Sequence, residues 1–313
     1  MKIIFFGNTE YSIAILEEIL KSRHEVVGVV STPNKEVKVR RKTTTIIQPM
    51  TTYAKEHNIP LYQPENLKET DWTEGLEFDL FVVVAFKILP KELYSLPKKG
   101  CVNIHPSILP EYRGSTPIEH AIMNGDTKSG VTSFYITDGI DNGDIIECIE
   151  TTLEPDIYID QAYSKMMSVG KECINLTLKA IESGKQGKKQ SQGQYRRAPK
   201  IKGKIWLNPN DTVDDAYNKV RALSPYYGGL NVHTTGDLDF SILRAECQEV
   251  IVFTKPGEIL MYDQDKFCIT VQDRKKVLVI NELKPIGKRA MSSKEFVNGH
   301  RNITSLRVIS REV

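Results

Sequence analysis

The sequence predicts a Rossmann-like α/β domain over residues 1–184 and an OB-like β-barrel domain over residues 205–313, with a basic linker over 185–204 between them. Three observations lead there. Runs that are apolar along their whole length alternate with stretches of helical period in the first half, the pattern of a parallel sheet covered on both faces. Short alternating segments separated by turn residues fill the last third, as in a small barrel. The length of 313 residues is about twice the commonest domain size, so two cores are expected.

Ile3 to Phe6 is a continuous β-rich run that stops at Gly7, after which Ile13, Leu16, Ile19 and Leu20 recur at helical spacing: strand, turn, helix. Val26 to Val30 is a second buried strand, followed by a loop. Pro49 to His57 reads as a helix, and Leu80 to Phe86 is a third strand after a polar stretch. Val102 to His105 is a short strand, Pro117 to Met123 a helix, and Val131 to Thr137 and Ile145 to Ile149 are strands. Tyr158 to Ile181 is one long amphipathic helix ending at Gly184, and the Gly, Lys, Gln and Ser run up to Gln194 has the composition of an exposed linker. Ala216 to Leu223 is a short helix. The remaining strands are punctuated by Thr235-Gly236-Asp237, Lys255-Pro256-Gly257 and Asp263-Gln264-Asp265.

Apolar residues make up 40% and charged residues 26%, which excludes a disordered or collagen-like chain. The net charge of +2 hides opposed regions: residues 1–184 hold 19 basic and 26 acidic residues, 185–204 hold 8 and none, and 205–313 hold 15 and 14. Lys2 precedes an apolar run of only four residues, far short of a signal core or a membrane span, so a cytoplasmic protein without membrane association is expected. Cys101, Cys148, Cys173, Cys247 and Cys268 are scattered, with no CxxC pair and no zinc spacing; free, mostly buried thiols and no metal are expected.

The Rossmann-like start lacks GxGxxG at Gly7-Asn8-Thr9-Glu10-Tyr11-Ser12, so its backbone cannot easily approach a pyrophosphate. The richest polar segment is Asn103 to Gly114. Asn103 and His105 stand two apart on one strand face, and the carboxyl ends of strands in open α/β sheets face the ligand crevice, so their polar tips are expected together at that edge. Asp138-Gly139-Ile140-Asp141-Asn142-Gly143-Asp144 is too short for an EF-hand and lacks its distant Glu. It is either a solvated turn or the source of a carboxylate that meets the histidine, an Asn, His, Asp set suited to acid/base work. Lys35, Lys38, Arg40, Arg41 and Lys42 form one basic patch in the loop after the second strand. Lys185, Lys188, Lys189, Arg196, Arg197, Lys200, Lys202 and Lys204 form another; two such patches flanking one crevice suit a polyanion.

At these residues the chain resembles the formyltransferase superfamily, and within it the methionyl-tRNA formyltransferase family, over nearly its whole length. Asn103-Ile104-His105-Pro106-Ser107-Ile108-Leu109-Pro110 with Tyr112-Arg113-Gly114 looks like the folate-site signature, and Gly139 to Asp144 like the carboxylate loop. Val83 to Pro90 is similar to the segment lining the pterin pocket. Ser224-Pro225-Tyr226, Pro256-Gly257-Glu258-Ile259 and Gly287 to Ser292 resemble the tRNA-binding C-terminal domain. The resemblance implies that 10-formyltetrahydrofolate donates its formyl group to the amine of methionine on initiator tRNA, with no covalent enzyme intermediate and no metal. Asn103 would hold the oxyanion, His105 would do likewise or act as general acid, and Asp141 would set the histidine's protonation and guide a relay water.

Phe86, Ile88, Leu89, Ser107, Ile108, Leu109, Pro110, Asp138, Gly139 and Ile140 would contact the folate. Lys38, Arg40, Arg41, Lys42, Lys188, Lys189, Arg196 and Arg197 would contact the tRNA of a monomeric enzyme of translation initiation. The competing readings are an N-formyltransferase acting on a nucleotide-linked amino sugar, which makes the basic patches incidental, and a non-catalytic RNA binder, which has no need of the Asn, His, Asp set.

Overall fold

The apolar runs of the first half do pair side by side. The computed structural model describes residues 1–39, 42–236 and 238–311, with backbone alone at 37–39 and 42. Arg40, Arg41 and Asp237 therefore lie outside the described residues, and of Lys38 and Lys42 only the strand position is described. The chain folds as two compact units: Met1–Pro117, Lys128–Thr152 and Tyr163–Pro199 form one, and Ile118–Thr127, Leu153–Ala162 and Lys200–Val313 the other.

In the first unit a seven-stranded sheet runs in the order Ile145–Thr152, Lys128–Tyr135, Cys101–His105, Leu80–Val84, Lys2–Gly7, Glu25–Val30, Leu61–Tyr62. The last five in that order are mutually parallel. Ile3, Ile4, Phe5 and Phe6 are wholly buried among them, as a strand covered on both faces requires. At the other side Lys128–Tyr135 runs antiparallel to Cys101–His105, and Ile145–Thr152 antiparallel to Lys128–Tyr135, directions that the sequence leaves open. The outermost, Ile145–Thr152, buries only Ile146 and then alternates half-buried and exposed positions, Glu147 and Glu150 among them, and an antiparallel edge tolerates a solvated face where a parallel one does not. The first helix, Glu10–Leu20, starts where Thr9 and Ser12 cap each other's backbone N–H groups. The long helix spans Ile159–Glu182.

Two expectations change here. The loop after the second strand contains an antiparallel strand pair, Lys35–Val39 with Lys42–Ile46. The basic linker is not free, since residues up to Pro199 belong to the first unit. Lys188 bridges to Ile145, and Arg197–Ala198 pairs in parallel with Arg113–Gly114. Composition marked this stretch as solvated, but its backbone N–H and C=O groups are recruited by neighbouring strands.

The second unit holds an antiparallel sheet in the order Leu230–Val232, Phe240–Glu249, Lys276–Pro285, Phe267–Ile269, Ile259–Met261, with Met291–Ser292 also on Lys276–Pro285. Arg307 bridges to Glu258 and Val308 to Thr234, so the C-terminal segment joins the two edges into a closed, barrel-like ring. Closure removes the unpaired edges an open sheet would expose. The residues 118–127 and 153–162, which periodicity assigned to the first domain, pack here: Tyr158 joins this core, the Arg221 Nη1 donates to the Ile157 carbonyl at 2.7 Å, and the Tyr227 hydroxyl donates to Glu119 at 2.7 Å. Nothing in local sequence announces such long-range partners.

Gly257 is where the ring closes. Its carbonyl accepts from Val308 N at 2.7 Å, its φ is +88°, and a Cβ there would lie 2.5 Å from the Val308 carbonyl oxygen. Gly257→Ala is expected to destabilise this unit by about 1–3 kcal/mol, the range for a strained left-handed residue, read as a lowered melting temperature.

Three of the five cysteines are buried and none is paired, but Cys148 is exposed. Burial pushes the Cys268 thiol up to about 11, away from reactivity. Among the described residues no helix is long and apolar enough to cross a membrane.

Candidate functional site

Asn103 and His105 point to one face of the strand Cys101–His105, with Ile104 buried on the other. His105 is only 5% exposed. Its Nε2 lies 3.0 Å from the Tyr112 carbonyl oxygen. A carbonyl only accepts, so in the neutral ring Nε2 carries the proton and Nδ1 is left with its lone pair. Nδ1 faces Asp141 Oδ2 at 3.9 Å, close enough for charge to act and too far for a direct hydrogen bond. Asn103 is half-buried, and among the described residues its carboxamide makes no hydrogen bond.

Asp141 reaches the histidine by an unexpected route. Because Lys128–Tyr135 runs antiparallel, the loop after it leaves the sheet at the Cys101 end, where Ile136 N donates to the Cys101 carbonyl. It then folds back over the face bearing Asn103 and His105. Asp141 thereby approaches His105, the last residue of its strand, at the carboxyl end of the sheet, with Asn103 two residues back on the same face. Asp141 has φ +50°, a left-handed conformation that Asp tolerates better than most residues. Its Oδ2 accepts from Gly114 N at 2.8 Å, which fixes the carboxylate's direction. Gly143 allows the return, since a Cβ there would stand 1.7 Å from the Tyr135 carbonyl oxygen.

The residue that sequence reasoning missed is Gln190, hidden in a run that reads as solvated linker. It is 7% exposed, its Nε2 donates to the carbonyls of Asp141 at 2.9 Å and Gly143 at 2.8 Å, and its Oε1 accepts from Arg113 Nε at 3.1 Å and Nη2 at 2.6 Å. One buried amide thus locks the carboxylate loop to the strand pair Arg113–Gly114 and Arg197–Ala198. Gly114 is required there too, with φ +134° and a would-be Cβ 2.2 Å from the Ala198 carbonyl oxygen.

The remaining expected residues fall into several groups. Thr132 Oγ1 donates to the Ser107 carbonyl at 2.6 Å and accepts from Leu109 N at 3.2 Å, while Ser107 Oγ donates to the Glu111 carbonyl at 2.7 Å; these bonds stiffen the segment holding Ile108, Leu109 and Pro110. Phe86 packs against Phe6 with ring centroids 5.6 Å apart, and Leu89 lies in the same core cluster. Ile88 is 79% exposed and Ile140 52%, large apolar side chains left uncovered on the loops at 85–90 and 136–144. Asp138 accepts from the Tyr94 hydroxyl at 2.7 Å, and that carboxylate holds the phenol's pKa above its ordinary value. Gly139 has φ +101° in the same loop. Of the basic residues, Arg196 pairs with Glu111 at 2.9 Å and stacks 4.6 Å over Tyr112, Arg197 is exposed on its short strand, and Lys188 and Lys189 precede Gln190.

Residues 1–178 match the formyl transferase family, and residues 201–301 match the formyl transferase C-terminal domain. The chain is 32% identical over 312 residues to the methionyl-tRNA formyltransferase of Clostridioides difficile, covering 98% of this chain and 99% of that one. It is 33% identical over 310 residues to the methionyl-tRNA formyltransferase of Bacillus licheniformis, covering 95% of each. Among solved structures, the N-formyltransferase of Helicobacter canadensis in complex with folinic acid and dTDP-3-aminofucose shares the fold at a TM-score of 0.66 and 21% identity, over 90% of this chain and 99% of that one.

Proposed function

The chain belongs to the formyl transferase family, and on that premise we propose that it transfers the formyl group of 10-formyltetrahydrofolate to the amine of a methionyl initiator tRNA. The observation that carries the reading is Asp141 at 3.9 Å from His105, with Asn103 two residues along the same strand and its amide uncommitted among the described residues. The bound folate supplies an activated formyl carbon on N10. The uncovered Ile88 and Ile140, and the Tyr94–Asp138 pair, fit the apolar and polar demands of a pterin.

Asn103 donates its carboxamide N–H to the formyl oxygen as negative charge develops there; one such donor typically supplies about 3–4 kcal/mol of transition-state stabilisation. His105 keeps Nε2–H on the Tyr112 carbonyl and uses Nδ1 for the moving proton. Asp141, oriented by the Gly114 amide, stabilises the protonated ring across the 3.9 Å gap, which a single water bridges. The amine is the nucleophile, so no side chain has to attack: its nitrogen bonds to the formyl carbon, the carbon–N10 bond breaks, and the proton the amine loses passes by way of His105 Nδ1 to N10. Lys38, Arg40, Arg41, Lys42, Lys188, Lys189, Arg196 and Arg197 then serve the phosphate backbone of the acceptor.

Purified protein given 10-formyltetrahydrofolate and methionyl initiator tRNA is expected to release formylmethionyl-tRNA and tetrahydrofolate. Turnover confined to a nucleotide-linked amino sugar would overturn the acceptor assignment while leaving the reaction type in place.

A further inference from the structure

Arg113 and Arg197 stand directly opposite each other in a two-residue parallel ladder, with Gly114 opposite Ala198. Like charges facing each other across strands are destabilising, and a carboxylate between them would normally relieve the repulsion. Among the described residues none does so here. The Arg113 guanidinium donates only to the neutral Gln190 Oε1 and lies 5.9 Å from the Tyr195 ring centroid, and Arg197 makes no ion pair. Glu111, the nearby acid, is engaged by Arg196. Both unmatched arginines line one groove, together with Pro110, Tyr195 and Arg196. Gly114, the residue after Arg113, is the one whose N–H fixes the Asp141 carboxylate.

We propose that this groove is an oxyanion seat that holds a phosphodiester of the amine-bearing substrate between Arg113 and Arg197. The proposal rests on the RNA reading above and adds Arg113 and Tyr195 to it. A guanidinium offers its N–H groups in a planar fork that matches a phosphate bidentately, and Arg113 has donors left after its two bonds to Gln190. The Tyr195 face can carry an adjoining base or ribose. A phosphate in the groove cancels the repulsion across the ladder and so stiffens the strand pair from which Gly114 holds Asp141. Substrate binding and the geometry of the proton relay thereby share one piece of backbone.

The test compares methionyl-tRNA with methionyl-adenosine, which has the amine and the ester but no phosphate. In Arg197→Gln the KM for methionyl-tRNA is expected to rise about tenfold, its salt dependence to flatten by about one unit of logarithmic slope, and the KM ratio between the two acceptors to shrink at least about fivefold. Arg113→Lys, which keeps the charge and loses the fork, should move the same ratio. Unchanged ratio and slope in both variants, with normal formylation of tRNA by the wild type, overturn the seat and leave the RNA reading standing. A wild type that does not formylate tRNA overturns that reading instead. Fluorescence anisotropy with a 5′-phosphorylated trinucleotide then decides the groove separately: weaker binding by Arg197→Gln supports it, and equal binding overturns it. A folate KM that depends on the number of glutamates in the wild type but not in Arg197→Gln would give the groove to the folate tail, which also overturns the proposal.

Discussion

Asp141→Asn is expected to lower kcat for formyl transfer by at least roughly a hundredfold while the protein stays folded. The substitution isolates the charge. An asparagine tolerates the φ of +50° about as well as aspartate does, and its side-chain oxygen can still accept from Gly114 N, so the loop keeps its path. What is lost is the negative charge 3.9 Å from His105 Nδ1, which faces the ring as the proton moves. Single-turnover rates and a thermal melt on the same preparation separate the two consequences. An unchanged melt with a collapsed rate is the expected pair, and a wild-type rate would remove Asp141 from the chemistry.

Gly143→Ala is expected to damage both stability and rate. The Cβ would stand 1.7 Å from the Tyr135 carbonyl oxygen, far inside any permitted contact, and the obstacle is backbone that cannot swing aside. Relieving the overlap must push the carboxylate loop away from the sheet, breaking the Gln190 bond to the Gly143 carbonyl and shifting Asp141 two residues upstream. Overpacking of this kind costs about 1–3 kcal/mol and sometimes more, or roughly 4–10 °C in melting temperature for a unit of this size. Gly184→Ala is the control: its φ is +75° but nothing lies within 4 Å of a Cβ, so it carries torsional strain alone. The two variants should melt apart, with only Gly143→Ala losing turnover. Equal melts would mean that relieving the overlap costs no more than the torsional strain of the control.

Much of the site was legible because its chemistry is local. Asn103 and His105 share a strand face by the two-residue period, and Pro106, Pro110, Gly139 and Gly143 mark the rigid or tightly turned backbone on either side. The relation between the two segments was less legible. The parallel-sheet rule pointed to the strand's carboxyl end, where His105 stands, but the route by which Asp141 reaches it follows the antiparallel return of Lys128–Tyr135, which no local pattern announces. Gln190 was illegible altogether. A glutamine in a run of Gly, Lys, Gln and Ser has the same local signature whether it is solvated or, as here, buried with four hydrogen bonds.

The same division holds for the chain as a whole. Sequence alone indicated the α/β start, the β-rich end, most of the helices, and the Asn, His and Asp residues proposed for the chemistry; the caps at Thr9 and Thr212 emerged with the structure. The indicated features depend on periodicity and on residue types within a few positions, which a linear text records. Tertiary structure alone decided which unit owns residues 118–127 and 153–162, how residues 307–308 close the barrel, and why residues 185–199 are held against the first unit. Those outcomes depend on backbone groups finding partners tens of residues away. A peptide N–H or C=O looks the same at every position until folding shows what it faces.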